Sequence, residues 1–498
     1  MTTLLRGGRI HTPSTPDATA LAVRAGVIIW IGRDFDGDPD EVVELDGAFV
    51  APAFVDAHVH VTQAGLLRTG LDLTRCGSLA ELLDGVRARA TPDSLVWGHG
   101  WDETAWPERR PPTRAELDDA AGGAAVYLSR IDVHSALVST ALVERRPGAR
   151  AASGWSDGAP VTQAAHHVLR GAFKESITRE QRRAAQREFL RHAAARGVAA
   201  VHECGGPDIS AVDDLDDLVA LSGEALPEVV PYWAERGGVL PAGARGLAGD
   251  LFVDGALGSR TAALRSPYTD LPSTCGALYL EPEQIAEHVV ACTRAGIQAG
   301  FHVIGDAAVA AVVAGFAQAE TVVGAAALRA ARHRLEHLEM VDAAQAERLG
   351  AWGVTGSVQP LFDASWGGRS GMYAQRLGPD RGSGLNPFSV LLSHGVVLAL
   401  GSDCPVTPVD PWAAVRAAVH HRTAGFGLTV EAAFRAHTVG GWYAAGVSGG
   451  ELAVGAAATY AVWDCDGFPS VEPGADLPRC VRTVRDGRTI YEQGSGGR

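Results

Sequence analysis

Two histidines, His58 and His60, end the apolar segment APAFVDAHVH at residues 51–60. In a β-strand alternate side chains point to the same face, so both imidazoles would converge on one spot. Two converging neutral imidazoles can act as a pair of metal ligands. An isolated HxH pair also occurs as two half-buried histidines with separate hydrogen bonds. The metal prediction therefore depends on what the rest of the chain supplies.

Further polar residues stand at or near the ends of other apolar, strand-like segments. These are His202 and Glu203, Asp250 and Asp254, His302, His333 and His337, and Asp403. Barrel enzymes place their sites at the C-terminal ends of their strands. Imidazole together with carboxylate suits Zn²⁺, with Mn²⁺, Fe²⁺ or Co²⁺ as alternatives. The predicted metal ligands are His58, His60, His302, His337 and Asp403.

Several of these candidates also have a structural interpretation. His302 could cap a turn before Gly305, and Asp403 could be a helix N-cap, a position that aspartate favours. His333 shares a strand face with His337 but lies farther from the C-terminal end of the strand, so we expect it to pack in the core. For His202 and Glu203 the two interpretations are evenly balanced.

The elements that must position these residues alternate along the middle of the chain. Strand-like segments such as 197–206 and 395–406 are followed by helical stretches rich in Ala, Arg and Glu. Seven or eight such units predict the α/β class and a closed (β/α)8 TIM barrel over residues 53–442. The two chain ends form short strands separated by Gly and Asp turns, which predict one small β-sandwich domain from residues 1–52 and 443–498. Residues at about 75–165 are rich in Trp, Pro and charge, and they predict an inserted subdomain or a long loop over the barrel mouth.

Composition limits the classes of partner. The 498 residues carry a formal net charge of −15, which argues against nucleic acid and anionic membrane surfaces. No apolar segment approaches the length of about 18 residues that a membrane span needs. The N-terminus lacks the pattern of a signal peptide, and the seven scattered cysteines have no CxxC spacing. We expect a soluble, cytoplasmic protein that acts on a small molecule.

The ordered motifs resemble the amidohydrolase superfamily of metal-dependent hydrolases, within it the amidohydrolase-3 or YtcJ-like branch that includes N-substituted formamide deformylases. The resemblance covers nearly the whole chain. The motifs are FVDAHVH (54–60), GWDETAWP (100–107), PTRAELD (112–118), SRIDVHSALVSTAL (129–142), FVDGALGSRTA (252–262), HVIGDAA (302–308), HRLEH (333–337), GSDCPV (401–406) and GELAVGAAATYAVWD (450–464).

The resemblance implies a metal-bearing (β/α)8 barrel joined to a β-sandwich made from both termini. It also implies hydrolysis of an amide, a formamide, a cyclic amide or a related C–N bond by a metal-activated water. The residues at the family's metal and catalytic positions are His58, His60, His302, His337 and Asp403. Of these, Asp403, His337 and His302 are the predicted catalytic residues, with Asp403 carrying the proton.

One position departs from the branch's pattern. Many relatives carry a lysine in a K-x-F-x-D-G motif, and that lysine can be carboxylated and bridge two metals. Here the run is DLFVDG, with Asp250 in place of the lysine. Because aspartate is shorter and cannot be carboxylated, Asp250 could ligate directly, Glu203 could replace it, or the site could hold a single metal. We expect one tightly held ion, with a second as the alternative.

The resemblance also implies residues that bind the substrate. These are Trp101 and His134, in the inserted segment that also holds Asp102, and Asp254 and Arg260, in the glycine-rich loop. Trp101 could equally be part of the core of the insertion.

Two other functions compete with amide hydrolysis. One is a deaminase with the same metal site, which ammonia release would distinguish. The other is a catalytically silent protein that binds a metal or a ligand. Relatives often form dimers, so a homodimer is the assembly to test.

Overall fold

The computed structural model describes residues 1–103, 106–131, 135–158, 160–207 and 209–494. The chain divides into two compact units. The first unit comprises Met1–His60 and Leu190–Arg498, and the second comprises Val61–Phe189. The predicted domain boundaries, 1–52 with 443–498 and 53–442 with an insertion at about 75–165, stay predictions.

The N-terminal part of the first unit consists of strands. These are β1 (Thr2–Arg6), β2 (Arg9–Ile10), β3 (Ala20–Arg24), β4 (Val27–Gly32), β5 (Glu41–Glu44), β6 (Phe49–Pro52) and β7 (Phe54–Val59). Four of them form one sheet in the order β4-β3-β1-β5. Strand β7 is buried along its whole length, as an apolar strand inside a parallel sheet should be.

The second unit combines helices with one five-stranded sheet in the order β12-β11-β10-β9-β8. Helix α3 begins with a capping box in which Thr113 and Glu116 satisfy each other's backbone amides. The elements of this unit are α1 (Val61–Thr69), β8 (Leu71–Asp72), α2 (Leu79–Arg89), β9 (Leu95–Trp101), α3 (Arg114–Ala121), β10 (Ala125–Arg130), β11 (Ser135–Val138), α4 (Thr140–Val143), β12 (Val161–Thr162) and α5 (Gln163–Ser176); the chain leaves the unit within α6 (Arg179–Ala194).

Strands and helices alternate in the remainder of the first unit. The elements are β13 (Val198–Gly205), α7 (Val212–Val219), β14 (Glu228–Trp233), β15 (Gly246–Leu247), α8 (Pro282–Ala295), β16 (Gln298–Val303), α9 (Asp306–Val323), α10 (Ala325–Ala331), β17 (Arg334–His337), α11 (Ala343–Ala351), β18 (Thr355–Val358), α12 (Pro360–Trp366), α13 (Met372–Leu377), α14 (Pro379–Gly382), α15 (Phe388–Ser393), β19 (Val397–Leu400), α16 (Pro411–Val419), α17 (Val430–Ala436) and α18 (Val439–Ala444). The predicted α/β class is confirmed.

The strands from β13 to β19, together with β7, pair in parallel. They form a sheet of order β14-β13-β7 and a sheet of order β15-β16-β17-β18-β19. A parallel bridge pairs Val59 at the end of β7 with Cys404 just beyond β19. On the other side, Arg245 N and Ala248 N, which flank β15, donate to Pro231 O (2.8 Å) and Trp233 O (3.1 Å) of β14. Backbone hydrogen bonds thus connect the two sheets at both of their edges.

The last strands return to the N-terminal region. They are β20 (Tyr460–Trp463), β21 (Cys480–Arg485) and β22 (Arg488–Glu492). They complete a sheet in the order β2-β6-β20-β21-β22, in which β20 pairs antiparallel with β6. Both ends of the chain therefore contribute strands to one sheet, and β6 leads directly into β7.

Helix α9 is the one described helix whose length and composition would allow it to cross a membrane. The sequence prediction that no segment approaches such a span is therefore wrong by that criterion. The helix has 18 residues, and 44% of them are buried inside the protein. The apolar core helix of a soluble protein also meets this criterion of length and hydropathy.

Gly401, directly after β19, lets this strand end approach β7. A Cβ at Gly401 would lie 2.6 Å from His58 N and 3.0 Å from His58 Cβ. We expect Gly401→Ala to lower the free energy of unfolding by about 1–3 kcal/mol, because backbone atoms must move to make room. Urea unfolding measures this change. Gly171→Ala, in α5 where a Cβ would meet nothing within 4 Å, should leave the stability unchanged or raise it by up to about 1 kcal/mol; equal losses in both variants would contradict the packing argument.

Candidate metal centre

Four histidines and two aspartates meet at the C-terminal ends of the parallel strands, and all six are buried. His58 lies in β7, His302 in β16 and His337 at the last position of β17. His60, Asp250 and Asp403 each follow a strand by one to three residues. The structure therefore brings together all five predicted ligands and Asp250.

The two carboxylate oxygens of Asp250 face two different pairs of histidines. Asp250 Oδ2 lies 3.4 Å from His58 Nε2 and 3.2 Å from His60 Nε2. Asp250 Oδ1 lies 3.6 Å from His302 Nδ1 and 3.5 Å from His337 Nε2. A single carboxylate thus stands between two imidazole pairs.

Asp403 completes the first of these two groups. Its Oδ1 lies 3.5 Å from His58 Nε2 and 3.2 Å from His60 Nε2. The ligand atoms of His58, His60 and Asp403 lie close enough together to hold one ion, and the same is true of His58, Asp250 and His337. The ligand types are those of zinc and related divalent metals.

The hydrogen bonds of the histidines leave lone pairs directed into the site. His58 Nδ1 donates to Glu336 Oε2 at 2.9 Å, and His302 Nε2 donates to the Gly255 carbonyl at 3.2 Å. The amide nitrogen of Gln359 donates to Ser357 O, so its oxygen accepts from His337 Nδ1 at 2.8 Å. In each ring the other nitrogen carries the lone pair and faces Asp250.

Several of the atoms that face this site are buried and have no hydrogen-bond partner within the described residues: His58 Nε2, Asp250 Oδ1, His302 Nδ1 and Asp403 Oδ1. Buried polar atoms without partners are rare in proteins unless an ion or water satisfies them. Burial lowers the pKa of His60, but hydrogen bonds to Asp250 and Asp403 outweigh this effect and raise that pKa to about 10. A cation would replace such protons between imidazole and carboxylate, so these residues fit a divalent metal.

A network of buried side chains fixes His58 through Nδ1, the ring nitrogen that does not face Asp250. Glu336 accepts from His58 and also pairs with Arg334, whose Nε lies 2.6 Å from Glu336 Oε1. Arg334 Nη1 donates to His202 Nδ1 at 3.0 Å, and its guanidinium stacks 4.2 Å from the ring centre of Tyr232. Glu336 and Arg334 are fully buried. Burial raises the pKa of Glu336, but Arg334 and His58 outweigh this effect and hold that pKa well below its usual range. The carboxylate therefore stays charged.

Glu336 and Arg334 were not among the predicted site residues, although both lie within the HRLEH motif. The two-residue period of a strand could have paired them, because it places Arg334 and Glu336 on the same strand face. His337 lies on the opposite face by the same count, yet it reaches the metal site. A left-handed backbone at His337 (φ +72°) turns its side chain at the strand end, and Asp403 has a similar conformation (φ +53°). Non-glycine residues in this region often mark functional sites.

Asp254 holds the glycine-rich loop beside His302. Its Oδ1 accepts from Ile304 N (3.0 Å), and its Oδ2 accepts from Ala263 N (2.9 Å) and Gly305 N (2.8 Å). Asp254 is fully buried. The predicted contact of Asp254 with substrate stays a prediction, but these three bonds engage both of its carboxylate oxygens.

We expect Asp254→Asn to lower the free energy of unfolding by about 1–3 kcal/mol, because an amide group would set a donor against a backbone N–H and leave it unsatisfied. Chemical denaturation measures the loss. Asp84→Asn is the control, since Asp84 forms an exposed ion pair with Arg87, worth at most about 1 kcal/mol. A larger loss in the control would refute a supporting role for Asp254.

The other predicted residues occupy several different environments. Arg260 donates two hydrogen bonds to Asp270, from Nε at 3.0 Å and from Nη2 at 2.7 Å. Trp101 belongs to the second unit, is buried in its core, and donates from Nε1 to Leu128 O at 2.9 Å. Their predicted contacts with substrate stay predictions. His134 lies outside the described residues.

The remaining strand-end candidates stand outside the ligand groups. Glu203 is buried on β13 but belongs to none of the groups that could hold a metal among the described residues. His333 is buried, accepts from Ala299 N at 2.9 Å through Nδ1 and bonds to Thr293 at 2.8 Å. Asp102 of the second unit pairs with Arg130 at 2.8 Å.

Known proteins resemble this chain over nearly its whole length. A profile described as the amidohydrolase family matches residues 41–491. YtcJ of Bacillus subtilis (strain 168) is 28% identical and the match covers 99% of this chain and 100% of YtcJ. The N-substituted formamide deformylase of Arthrobacter pascens is 24% identical, with 96% of this chain and 95% of that protein covered.

A solved structure shares the fold. It is an uncharacterized metal-dependent hydrolase from Pyrococcus furiosus, with 26% identity and a TM-score of 0.76. The match covers 93% of this chain and 99% of that chain. Together with the sequence matches, this similarity confirms the resemblance found in the motifs. It also supports a metal-dependent hydrolase, and the His and Asp groups described above are the candidate metal site.

Proposed function

Because the chain belongs to the amidohydrolase family, we propose that it hydrolyses a carbon–nitrogen bond of a small molecule, in an amide, formamide or cyclic amide and not in a peptide. The observation that carries this proposal is the carboxylate of Asp250 between two histidine pairs, with Asp403 beside the first pair. A relative of similar length is an N-substituted formamide deformylase, which favours formamides as the first substrates to test.

We also propose that the strands around the site form a closed (β/α)8 barrel. Eight parallel strands in the order β7, β13 to β19 support it, as do the backbone hydrogen bonds that connect β14 to β15 and β19 to β7. Ligands at the C-terminal strand ends agree with the location of active sites in such barrels. The sheet shared by both chain ends supports the β-sandwich part of the proposal.

We propose a binuclear site, whereas the sequence favoured one tightly held ion. His58, His60, Asp250, His302, His337 and Asp403 would hold the two cations. Zn²⁺ is the first metal to test. When bound, a divalent cation acts as a Lewis acid and lowers the pKa of a coordinated water towards ~7.

The chain's own residues supply the proton transfers and the alignment. Asp403 would accept a proton from the attacking water and deliver it to the leaving nitrogen, so that the amine departs neutral. Glu336, charged and fixed by Arg334, keeps the Nδ1 proton on His58 and so holds its Nε2 towards Asp403. Gln359 and the Gly255 carbonyl do the same for His337 and His302.

A panel of N-formyl amines, N-acetyl amines, cyclic amides and amidine-type aminoheterocycles tests the proposal. On protein reconstituted with Zn²⁺, we expect release of a carboxylate product together with an amine, or ring opening of the cyclic amides. Ammonia released only from the aminoheterocycles would instead indicate a deaminase. No turnover anywhere in the panel, with both metal equivalents bound, would favour a silent binding protein.

A further inference from the structure

A buried acid that the proposed chemistry does not use lies two residues after His337. Glu339 is 2% exposed, and its Oε2 has no hydrogen-bond partner within the described residues. Tyr373 and Asn386 lie beside it and are 1% exposed. Tyr373 Oη and Asn386 Nδ2 are likewise buried without a partner of good geometry in the described chain. Three neighbouring polar side chains therefore each keep an unsatisfied atom.

The backbone holds this cluster firmly in place. Asn386 N donates to Glu339 O at 2.8 Å, and Met340 N donates to Ile304 O at 3.1 Å. Asn386 itself adopts a left-handed conformation (φ +55°). An unsatisfied buried polar atom destabilises a folded protein, and more so when it is charged. Unsatisfied buried polar atoms at a fixed position are unusual in a protein core and are more typical of a binding site.

The cluster also lies next to the metal centre. Glu339 stands two residues after His337, and its neighbour Met340 bonds to Ile304, which stands two residues after His302. Apolar side chains that are only partly buried, Met340, Trp366 and Met372, belong to the same group of packed residues as Tyr373. Small-molecule sites commonly combine apolar walls with a few fixed polar groups.

We propose that Glu339 forms a substrate subsite for a nitrogen hydrogen-bond donor, an ammonium or an amide N–H, on the part of the substrate remote from the scissile bond. This inference rests on the proposed hydrolysis. Glu339 accepts the N–H bond, and the backbone bond from Asn386 N to Glu339 O keeps the residue in place. Trp366 and Met372 flank the linking part of the substrate.

Matched N-formylbenzylamines test the subsite, with a 4-aminomethyl, a 4-carboxamide or a 4-methyl group on the ring. Formate release gives kcat/KM for each on the Zn²⁺-loaded enzyme. A hydrogen bond to a charged group is worth about 1.5–3 kcal/mol, so we expect kcat/KM about 10- to 100-fold higher for at least one nitrogen donor than for the methyl compound. Preference for the 4-aminomethyl compound alone would identify the ligand as a cation, and preference for both would identify a shared N–H donor.

Glu339→Gln should bring the donor-to-methyl ratio close to one, because the amide loses the charge that strengthens the bond. Glu347→Gln, an exposed residue of α11, is the control and should keep the ratio of the parent enzyme. A purely structural role would lower the Tm of Glu339→Gln by several degrees and reduce all three rates equally. The subsite predicts instead an unchanged Tm, because Glu339 Oε2 makes no hydrogen bond within the described residues that the amide would lose.

Amine binding tests the subsite even if the proposed hydrolysis is not observed. If none of the three compounds releases formate, calorimetric titration with the amines 4-(aminomethyl)benzylamine, 4-(aminomethyl)benzamide and 4-methylbenzylamine still measures the preference. Binding that favours a donor amine by tenfold or more, and loses this preference in Glu339→Gln, supports the subsite. Equal affinities together with equal rates across the series would overturn it.

Discussion

Replacement of Asp403 by asparagine should lower kcat about 10²- to 10⁴-fold, the usual contribution of a positioned proton carrier. Asparagine has nearly the same shape and keeps an oxygen that can face His58 and His60, at 3.5 Å and 3.2 Å in the parent structure. It cannot take a proton from water or deliver one to a leaving nitrogen. Formate release and the Tm of the variant, measured together, separate the loss of chemistry from unfolding.

Asp410→Asn is the matched control for this variant. Asp410 caps helix α16 through a bond from Ala413 N at 3.2 Å, and asparagine is an equally good N-cap. The control should therefore retain the parent's rate and Tm. If Asp403→Asn, still loaded with metal, keeps more than a tenth of the parent's kcat, Asp403 is not the proton carrier.

Glu336→Gln should produce the largest loss of stability, about 3–5 kcal/mol in the free energy of unfolding. The substitution removes one charge of a buried pair and leaves the guanidinium of Arg334 uncompensated. It also loosens the hydrogen bond that orients His58. Loss of such support typically weakens metal affinity 10- to 100-fold. Urea denaturation and competitive Zn²⁺ titration measure the two effects.

A double variant distinguishes the two roles of this pair. Arg334→Met combined with Glu336→Leu replaces both buried charges by apolar groups, which is often neutral for stability. We expect it to recover most of the stability that Glu336→Gln loses, while the affinity for Zn²⁺ stays low because His58 has no acceptor. Full recovery of metal affinity in the double variant would show that Glu336 does not position His58.

The ligand set follows from the sequence because it depends on local rules. Histidines that end apolar strands must gather where parallel strand ends meet, so His58, His302 and Asp403 could be placed before any coordinates. Asp250 was identified as the departure from the lysine pattern, and its position between both histidine pairs is consistent with direct ligation, one of the alternatives that the sequence left open. Glu203, the other candidate, belongs to none of the metal-binding groups found among the described residues.

What the sequence could not provide depends on contacts between distant segments. Glu336 reaches His58 across 278 residues of chain, and Asp254 binds amides up to 51 residues away. The orientation of His337 depends on a left-handed backbone at a strand end, which breaks the period of two that strand patterns assume. The sequence prediction also missed α9, whose 18 residues meet the length and composition criterion for a membrane span.

The most direct test of the proposed centre is the metal content per chain, by elemental analysis after reconstitution with Zn²⁺ and desalting. We predict two equivalents for the parent protein and for Asp410→Asn, and about one or fewer for Asp250→Ala, because the carboxylate that faces both histidine pairs is gone. One equivalent in the parent and in Asp250→Ala would show a mononuclear site to which Asp250 is not essential. No bound metal in the parent protein would contradict a metal centre at His58, His60, Asp250, His302, His337 and Asp403.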